Sequence, residues 1–162
     1  VPEKTVGTYV WDAAIKKSGL KPMAPPQYET LEKEPVLASA IIEAEEFDEM
    51  KDVRIEGNGV GYFDEGDWIA FNKIDFGDGG YSKIRLYLAV DPGYAGKKIE
   101  IRLESQTGPL LGTHIVKSTG GWYDFTEQLS VIDSSRLTGI QTLYLVGKGG
   151  DGIANLDYFL FE

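Results

Sequence analysis

The chain has 162 residues, 42% of them hydrophobic, which is enough for one ordinary domain with a buried core. Its 26 acidic residues against 16 Lys and Arg give a net charge of −10, which repels phosphate backbones and argues against a nucleic-acid partner. No apolar run approaches the roughly 18 residues of a membrane span, and the absence of cysteine excludes disulfides and thiolate metal sites.

The first 36 residues differ in character from the rest of the chain. They hold five of the seven prolines and one segment with helical signals, DAAIKKSG, where Asp12 and Gly19 suit the two helix caps. The following MAPPQYETLEKEP reads as an extended linker. We therefore expect residues 1–36 to be a linker or the tail of an upstream domain, a view that the initial Val1 favours because it is not an initiator methionine.

A β pattern begins after Val36. YSKIRLYLAV and KKIEIRLE alternate apolar with other residues, as half-buried strands do. Glycine-rich turns such as GDGG, DPGYAG and STGG separate further segments of this kind, and GKGGDG, which lacks the ending of a phosphate-binding loop, predicts another turn. Eight or more short strands at this spacing predict an all-β protein, an antiparallel β-sandwich with jelly-roll topology, over residues 37–162.

Carboxylates share a face with apolar residues in the first predicted strand, LASAIIEAEEF. Glu43 and Glu45 fall on the same face as Ile41 and Phe47, and two inward carboxylates at this spacing need compensation. An oxygen-only set of ligands suits Ca²⁺, and the single histidine disfavours zinc. The alternatives are a sheet edge where both carboxylates reach water or a basic partner, and the acid/base pair of a glycosidase.

The last predicted strand, in IANLDYFLFE, repeats this pattern. Period-two alternation places Leu156, Tyr158 and Leu160 on one face and Asn155, Asp157 and the two phenylalanines on the other. Asp157 would then point toward the core and could join the two glutamates as a third calcium ligand. His114, alone in LLGTHIVKS, is expected to be a structural or surface residue.

Aromatic residues stand beside glycines in the predicted loops. IEGNGVGYFDEGDW contains Tyr62 and Trp68, and STGGWYDF contains Trp122 directly after two glycines. An indole beside a turn either packs in the core or binds a ligand. Flat rings together with the amide of Asn155 would suit a sugar, whose C–H face stacks on rings while polar groups bind its hydroxyls.

These segments resemble the family 6 carbohydrate-binding modules of cell-wall hydrolases. The resemblance runs through IEAEEF, VGYFDEGDWIAF, IEIRLESQTGPLLGTHIVKSTGGWYDF and LYLVGKGGDGIANLDYFLF, in order, over residues 37–162. Family 35 and 36 modules are similar to family 6 modules and are the families most easily confused with them. The resemblance implies a β-jelly-roll without catalysis of its own.

The resemblance also implies residue roles. A sugar would lie between Tyr62 and Trp122 in a cleft at the loop end, Asn155 would bind its hydroxyls, and Glu56 matches a glutamate that often joins them. The family's structural Ca²⁺ would be held by residues that match Glu43, Glu45 and Asp157. The GNGVG loop is shorter than in many members, so one side of the cleft is expected to be open.

The resemblance implies a secreted, extracellular protein in which an upstream catalytic domain is carried to a polysaccharide. Xylan, β-glucans, agarose and related galactans remain open as ligands. Some members bind along the sheet's open face, where an outward orientation is expected for Tyr81, Arg85, Tyr87 and Arg102. The alternative functions are a calcium-stabilised adhesion or structural β-sandwich without a sugar ligand, and a small glycosidase or lyase.

Overall fold

A computed structural model describes residues 32–162. The helix expected around DAAIKKSG and most of the 1–36 linker lie outside these residues. Described by itself, the unit Lys33–Glu162 is compact and consists almost wholly of strands and turns. None of the helices in the described part of the chain is long and apolar enough to cross a membrane.

The described residues form two six-stranded sheets. In chain order the strands are β1 (Val36–Leu37), β2 (Ile42–Glu43), β3 (Glu49–Lys51), β4 (Arg54–Glu56), β5 (Gly59–Gly61), β6 (Trp68–Asp75), β7 (Lys83–Val90), β8 (Lys98–Leu103), β9 (Leu110–Ile115), β10 (Gly121–Val131), β11 (Ile140–Lys148) and β12 (Asn155–Phe161). Sheet A has the order β1-β6-β11-β8-β9, with β3 also on β6, and sheet B has the order β10-β7-β12-β5-β4, with β2 on β12. Every pair is antiparallel except β1–β6.

The core lies between the sheets and follows the predicted alternation. In β7, Ile84, Leu86 and Leu88 are fully buried, and Ile99 and Ile101 of β8 are buried in the same cluster. Since side chains of a strand alternate between faces, the polar residues between them are left outside. The prediction of an antiparallel all-β sandwich is thus confirmed.

Phenylalanines connect the two sheets across the core. The ring of Phe71 on β6 meets that of Phe159 on β12 edge to face, with centroids 4.9 Å apart, and Phe76 meets Phe161 in the same way at 4.9 Å. Burying a side chain of this size stabilises the fold by about 1.5–3 kcal/mol. These rings therefore fix how sheet A lies on sheet B, and with it the loops at the sandwich end.

A buried polar group also joins the sheets, along the side where β9 and β10 run. His114 on β9 is 2% exposed. Its Nε2 lies 2.8 Å from Oε1 of Gln128, and its Nδ1 lies 2.6 Å from Oγ of Ser130, both on β10. Gln128 in turn donates from Nε2 to the carbonyl of Lys117 at 2.7 Å. His114 is therefore structural and fully hydrogen-bonded.

The first predicted strand is wrong in detail. LASAIIEAEEF contains only the last residue of β1 and the short strand β2, and Ala44–Glu46 forms a turn of 3₁₀-helix. Ile42 and Ala44 are buried, whereas Ile41 is 57% exposed. Glu43 and Glu45 are half-buried and alternate with Ile42 and Ala44, so the side of this segment that was expected to face the core is the outer one.

The last predicted strand is β12, but its faces differ from the expectation at one point. A β-bulge lies between Leu156 and Tyr158, and Leu156 is fully buried together with Phe159 and Phe161. An extra residue in one strand re-aims the side chains around it. Asp157, at the bulge, is half-buried and does not point between the sheets with the phenylalanines.

Candidate functional site

A cleft of about 410 Å³ opens where loops of both sheets meet. The loops follow β5 and β7, lead into β10 and precede β12. The side chains that line it are Glu56, Tyr62, Phe63, Asp64, Tyr94, Trp122, Tyr123, Asp151, Ala154 and Asn155, with Gly152. All four residues predicted to bind a ligand, Tyr62, Trp122, Asn155 and Glu56, are among them.

Tyr62 stands at the edge of this cleft directly after β5. Its backbone φ is +53°, in the left-handed region that residues other than glycine seldom adopt, and its side chain is 55% exposed. The guanidinium of Arg54 lies 4.7 Å from the centroid of the ring. Arg54 does not line the cleft, so it holds one side of the ring and leaves the cleft side open.

Asn155 and Trp122 are joined directly. Nδ2 of Asn155 donates a hydrogen bond to the carbonyl of Trp122 at 2.7 Å, which fixes the amide's orientation because only its nitrogen end can donate. The indole of Trp122 is half-buried and packs on the core. Oδ1 and the second N–H of Asn155 remain for a ligand.

Gly61 makes room for two of the lining side chains. A Cβ at this position would lie 2.9 Å from Oδ1 of Asn155 and 3.0 Å from Cγ of Glu56. The absence of a side chain at the end of β5 therefore lets the amide and the glutamate approach each other over the strand.

Hydrogen bonds fasten the loop after Tyr62 to the glycine-rich GKGGDG segment. The Asp64 carboxylate accepts from the N–H of Gly152 at 2.7 Å, and Glu65 accepts from Gly149 at 2.6 Å. Asp67, 5% exposed, accepts from the N–H of Asp64 at 2.9 Å, and burial raises the pKa of its carboxyl. Carboxylates on one wall of the cleft thus accept hydrogen bonds from backbone N–H groups on the other.

The cleft contains aromatic residues that the sequence analysis did not assign to it. Tyr94 lies in a short 3₁₀-helix after β7, and its ring centroid is 5.0 Å from that of Trp122. Tyr123 is 79% exposed beside it. The sequence showed only a tyrosine within the turn DPGYAG and a second aromatic after GGW, and neither pattern distinguishes a ring that faces a cleft from one in solvent.

A second cleft of about 430 Å³ lies on the outer face of sheet B. It shares Glu56, Tyr123 and Asn155 with the first and extends to Tyr87 and Phe125. Rings from β10 and β12 flank Tyr87 on both sides: Phe125 stacks on it at 5.5 Å and Tyr158 at 4.8 Å. The faces of Tyr87 are therefore occupied by neighbouring rings.

Two of the four residues expected on this open face are elsewhere. Arg85 and Tyr87 lie on it, but Arg102 belongs to β8 in sheet A. Tyr81 packs edge to face on Phe76 at 5.5 Å and on Phe161 at 6.5 Å. The prediction failed for Tyr81 because the residue precedes β7, where alternation no longer assigns a face.

The three carboxylates expected to bind a metal are brought together. One ligand oxygen from each of Glu43, Glu45 and Asp157 lies within 4.8 Å of the others. Glu43 pairs with Tyr158 across β2 and β12, and the bulge in β12 aims Asp157 at the same point.

The electrostatics of this cluster are unfavourable for three free carboxylates. Burial, with the charges of Glu45 and Asp157, raises the pKa of the Glu43 carboxyl. Oε1 of Glu45 is buried and has no hydrogen-bond partner among residues 32–162. An oxygen donor set with an unpaired buried oxygen suits a hard cation such as Ca²⁺.

Sequence comparison places the chain among known proteins. Residues 43–162 match the profile described as carbohydrate binding module (family 6). An arabinoxylan arabinofuranohydrolase of Paenibacillus polymyxa is 41% identical over 98 residues, 59% of this chain and 15% of that protein. The endo-1,4-beta-xylanase A of Thermoclostridium stercorarium is 34% identical over 132 residues, 77% of this chain and 24% of the xylanase. The chain thus spans less than a quarter of the length of these curated relatives.

Solved structures of family 6 modules are similar to this chain as well. A family 6 module from Clostridium cellulolyticum, in complex with xylose, has a TM-score of 0.71 at 36% identity, over 78% of this chain and 98% of that one. A β-1,3-glucan-binding family 6 module from Bacillus halodurans has a TM-score of 0.73 at 30% identity, over 80% of this chain and 99% of that one.

These matches exclude one of the alternatives considered from the sequence, the small glycosidase or lyase. The match runs from Glu43 of β2 to the residue after β12 and so covers the segments that carry the resemblance. The chain belongs to family 6 of the carbohydrate-binding modules and is a non-catalytic binding protein.

Proposed function

We propose that the loop cleft binds a sugar of a neutral cell-wall polysaccharide between the rings of Tyr62 and Trp122, with hydrogen bonds from Asn155 and Glu56. One observation carries this proposal: side chains from four separate parts of the chain line one cleft. Rings that cover a sugar's C–H face, beside a fixed amide, are the groups such a ligand needs.

The charge of the cleft supports a neutral ligand. Glu56, Asp64 and Asp151 line it, and no lysine or arginine of the described residues does. A sugar chain with carboxylate or sulfate groups would be repelled at close range. Sugar hydroxyls can instead donate hydrogen bonds to the carboxylates and accept them from the amide N–H.

Xylan is the first candidate and β-1,3-glucan the second. The xylose complex of the Clostridium cellulolyticum module and the xylanase and arabinofuranohydrolase relatives support xylan. The β-1,3-glucan-binding module from Bacillus halodurans supports the second ligand. Affinity gels with soluble xylan and with a β-1,3-glucan would discriminate between them.

Calorimetry on variants would test the location of the site. With a responsive oligosaccharide, Tyr62→Ala and Trp122→Ala should each weaken binding by about tenfold or more, because stacking and buried area are lost together. Tyr87→Ala, in the sheet-face cleft, is the matched control and should bind nearly as wild type. If Tyr87→Ala abolishes binding while Trp122→Ala retains it, the ligand lies on the sheet face.

We further propose that the module belongs to a secreted glycoside hydrolase and carries a catalytic domain to its substrate. The chain matches only 15% and 24% of the length of these two relatives. Most of each relative is therefore other sequence, which supports this view. Removing residues 37–162 from the complete protein should lower activity on insoluble polysaccharide and leave activity on soluble oligosaccharides unchanged. An equal loss on both substrates would contradict a targeting role.

We propose that Glu43, Glu45 and Asp157 bind a structural Ca²⁺. The three oxygens within 4.8 Å, the raised pKa of Glu43 and the unpaired Glu45 Oε1 support a cation at this point. The ion would neutralise the mutual repulsion of these carboxylates and connect β2 and the adjacent 3₁₀ turn to β12, two residues after Asn155. Its effect on binding would be indirect, through the position of that amide.

A further inference from the structure

Tyr94 is an exposed ring that the structure holds firmly in place. Its side chain is 45% exposed, lines the loop cleft and meets the indole of Trp122 at a centroid distance of 5.0 Å and an angle of 55°. Exposing a large ring to water is unfavourable, and holding it still gains nothing for a surface residue. A ring of this kind calls for a reason other than folding.

The backbone beneath Tyr94 is fixed by local hydrogen bonds. The Asp91 side chain accepts from the N–H of Gly93 at 3.0 Å, and the Asp91 carbonyl accepts from the N–H of Tyr94 at 2.9 Å. Pro92 begins the short helical turn, where its restricted φ is already suitable. The position of the Tyr94 Cα is thus set before any ligand arrives.

Lys97 holds the ring from outside the cleft. Its Nζ donates to the carbonyl of Tyr94 at 2.9 Å and lies 4.8 Å from the ring centroid, at cation–π distance. Lys97 is not among the residues that line the cleft. The ammonium therefore contacts the ring without contributing to the lining of the cleft.

The glycines of GKGGDG provide space for both side chains. A Cβ at Gly152 would lie 2.7 Å from Cδ2 of Tyr94 and 3.4 Å from the Trp122 ring. A Cβ at Gly150 would lie 3.2 Å from Cε of Lys97, and one at Gly149 would lie 3.4 Å from the Lys97 stem. All three glycines have positive φ. This segment, which the sequence presents only as a turn, is shaped around Tyr94 and Lys97.

We propose that Tyr94 forms a second sugar subsite beside Trp122, so that the cleft recognises a chain of at least two sugars rather than a single residue. The inference rests on the proposed function of the cleft. The two ring centroids lie 5.0 Å apart at an angle of 55°, and both rings line the cleft. The sugar next to the one stacked on Trp122 therefore meets Tyr94, whose orientation is already fixed and costs little entropy on binding.

Ligand length discriminates this role from mere support of Trp122. The probes are two series of increasing length: xylose, xylobiose and xylotriose, and glucose with its β-1,3-linked dimer and trimer. Binding to wild type, Tyr94→Ala and Tyr94→Phe is measured by NMR titration and calorimetry. In the series that wild type binds, Tyr94→Ala should lose about three- to tenfold for the trimer and less than twofold for the monosaccharide.

The control variants keep the proposal falsifiable. Tyr94→Phe retains the ring and should bind as wild type. Lys97→Met retains the stem without the cation and should give an intermediate loss, again for the longer probes only. An equal loss at every length would make Tyr94 a support for Trp122, and no loss at any length would leave it without a role, so either result overturns the inference alone. Failure of wild type to bind either series would overturn the proposed function and the inference with it.

Discussion

The side-chain amide of Asn155 and the backbone carbonyl of Trp122 are joined by a hydrogen bond of 2.7 Å. It connects β12, in the middle of sheet B, to the start of β10, the strand at the edge of that sheet. The amide proposed to bind hydroxyls therefore also positions the segment that carries the indole. A substitution of Asn155 should therefore affect both the hydrogen bonds to the ligand and the position of the indole.

Asn155→Asp tests this connection with almost no change in volume. A carboxylate cannot donate to the Trp122 carbonyl and would face it as a second acceptor, a change worth about 1–3 kcal/mol. We expect oligosaccharide affinity to fall by about tenfold or more, measured by calorimetry.

The matched control is Gln141→Glu. The amide of Gln141 also donates to a backbone carbonyl, that of Thr138 at 2.8 Å, but it does not line the cleft. The Gln141→Glu variant should have a lower melting temperature and an unchanged affinity for the oligosaccharide. A normal affinity for Asn155→Asp would remove Asn155 from the site.

Gly61→Ala should weaken binding by crowding rather than by removing a contact. The added Cβ would lie 2.9 Å from Asn155 Oδ1 and 3.0 Å from Glu56 Cγ, so both side chains must move. We expect a several-fold loss of affinity with a small loss of stability. Gly77→Ala, at a φ of +53° with open space around it, is the control that should lower stability alone. Unchanged affinity for Gly61→Ala would mean that neither neighbour contacts the ligand.

The regular parts of the fold follow from the sequence, and the irregular parts do not. Strands β7 and β8 alternate without interruption, so hydrophobic pattern alone assigns their faces. The bulge at Asp157 and the 3₁₀ turn at Glu45 break that period, yet the carboxylates still meet. Their meeting depends on pairing between β2 and β12, which are far apart in the chain.

The candidate site shows the same division. Tyr62 and Trp122 could be assigned to it because they stand in segments with a family resemblance. Tyr94 was missed because nothing in DPGYAG distinguishes a tyrosine that faces a cleft from one in solvent. Its role depends on the distant glycines that make room for it, and such a contact has no signal in local sequence.

Calcium should stabilise the protein, and more at pH 7 than at pH 5. Without metal, the raised pKa of Glu43 means that the folded state binds the proton more readily than the unfolded state. Stability of the metal-free protein should therefore increase as pH falls through that raised pKa toward 4.5, the group's ordinary value. Ca²⁺ competes with the same protons, so its stabilisation should decrease over this window.

The measurement is the melting temperature in excess Ca²⁺ and in EDTA at both pH values. Glu45→Gln should reduce the difference between the two conditions, and Glu49→Gln, on exposed β3, is the control that should preserve it. Identical melting curves with and without EDTA, and no calcium by metal analysis, would contradict the metal site.

His114 should make the protein less stable as pH falls below 6.5. Burial lowers the pKa of its imidazole from the ordinary value of 6.5, so the folded state favours the neutral ring. The unfolded state then binds more protons, and stability present above pH 6.5 is lost as pH falls toward the folded-state pKa. His114 is the single histidine of the chain, so the part of this slope that disappears in His114→Gln comes from its imidazole.

Denaturant unfolding at pH 7.5 and pH 5.5 measures the effect. His114→Gln should unfold more easily at pH 7.5 because the contacts to Ser130 and Gln128 are lost, yet show a flatter dependence between the two pH values. An equal pH dependence of stability in wild type and His114→Gln would show that the imidazole is not held neutral.

The central place of β12 in sheet B has a consequence for biosynthesis. Residues 155–161 lie between β7 on one side and β5 and β2 on the other, and they supply Phe159 and Phe161 to the core. While these residues are still within the ribosome, sheet B has a gap in its middle and β7 exposes an unpaired edge. The module can therefore close only after its final strand has emerged, and the growing chain must avoid aggregation until then.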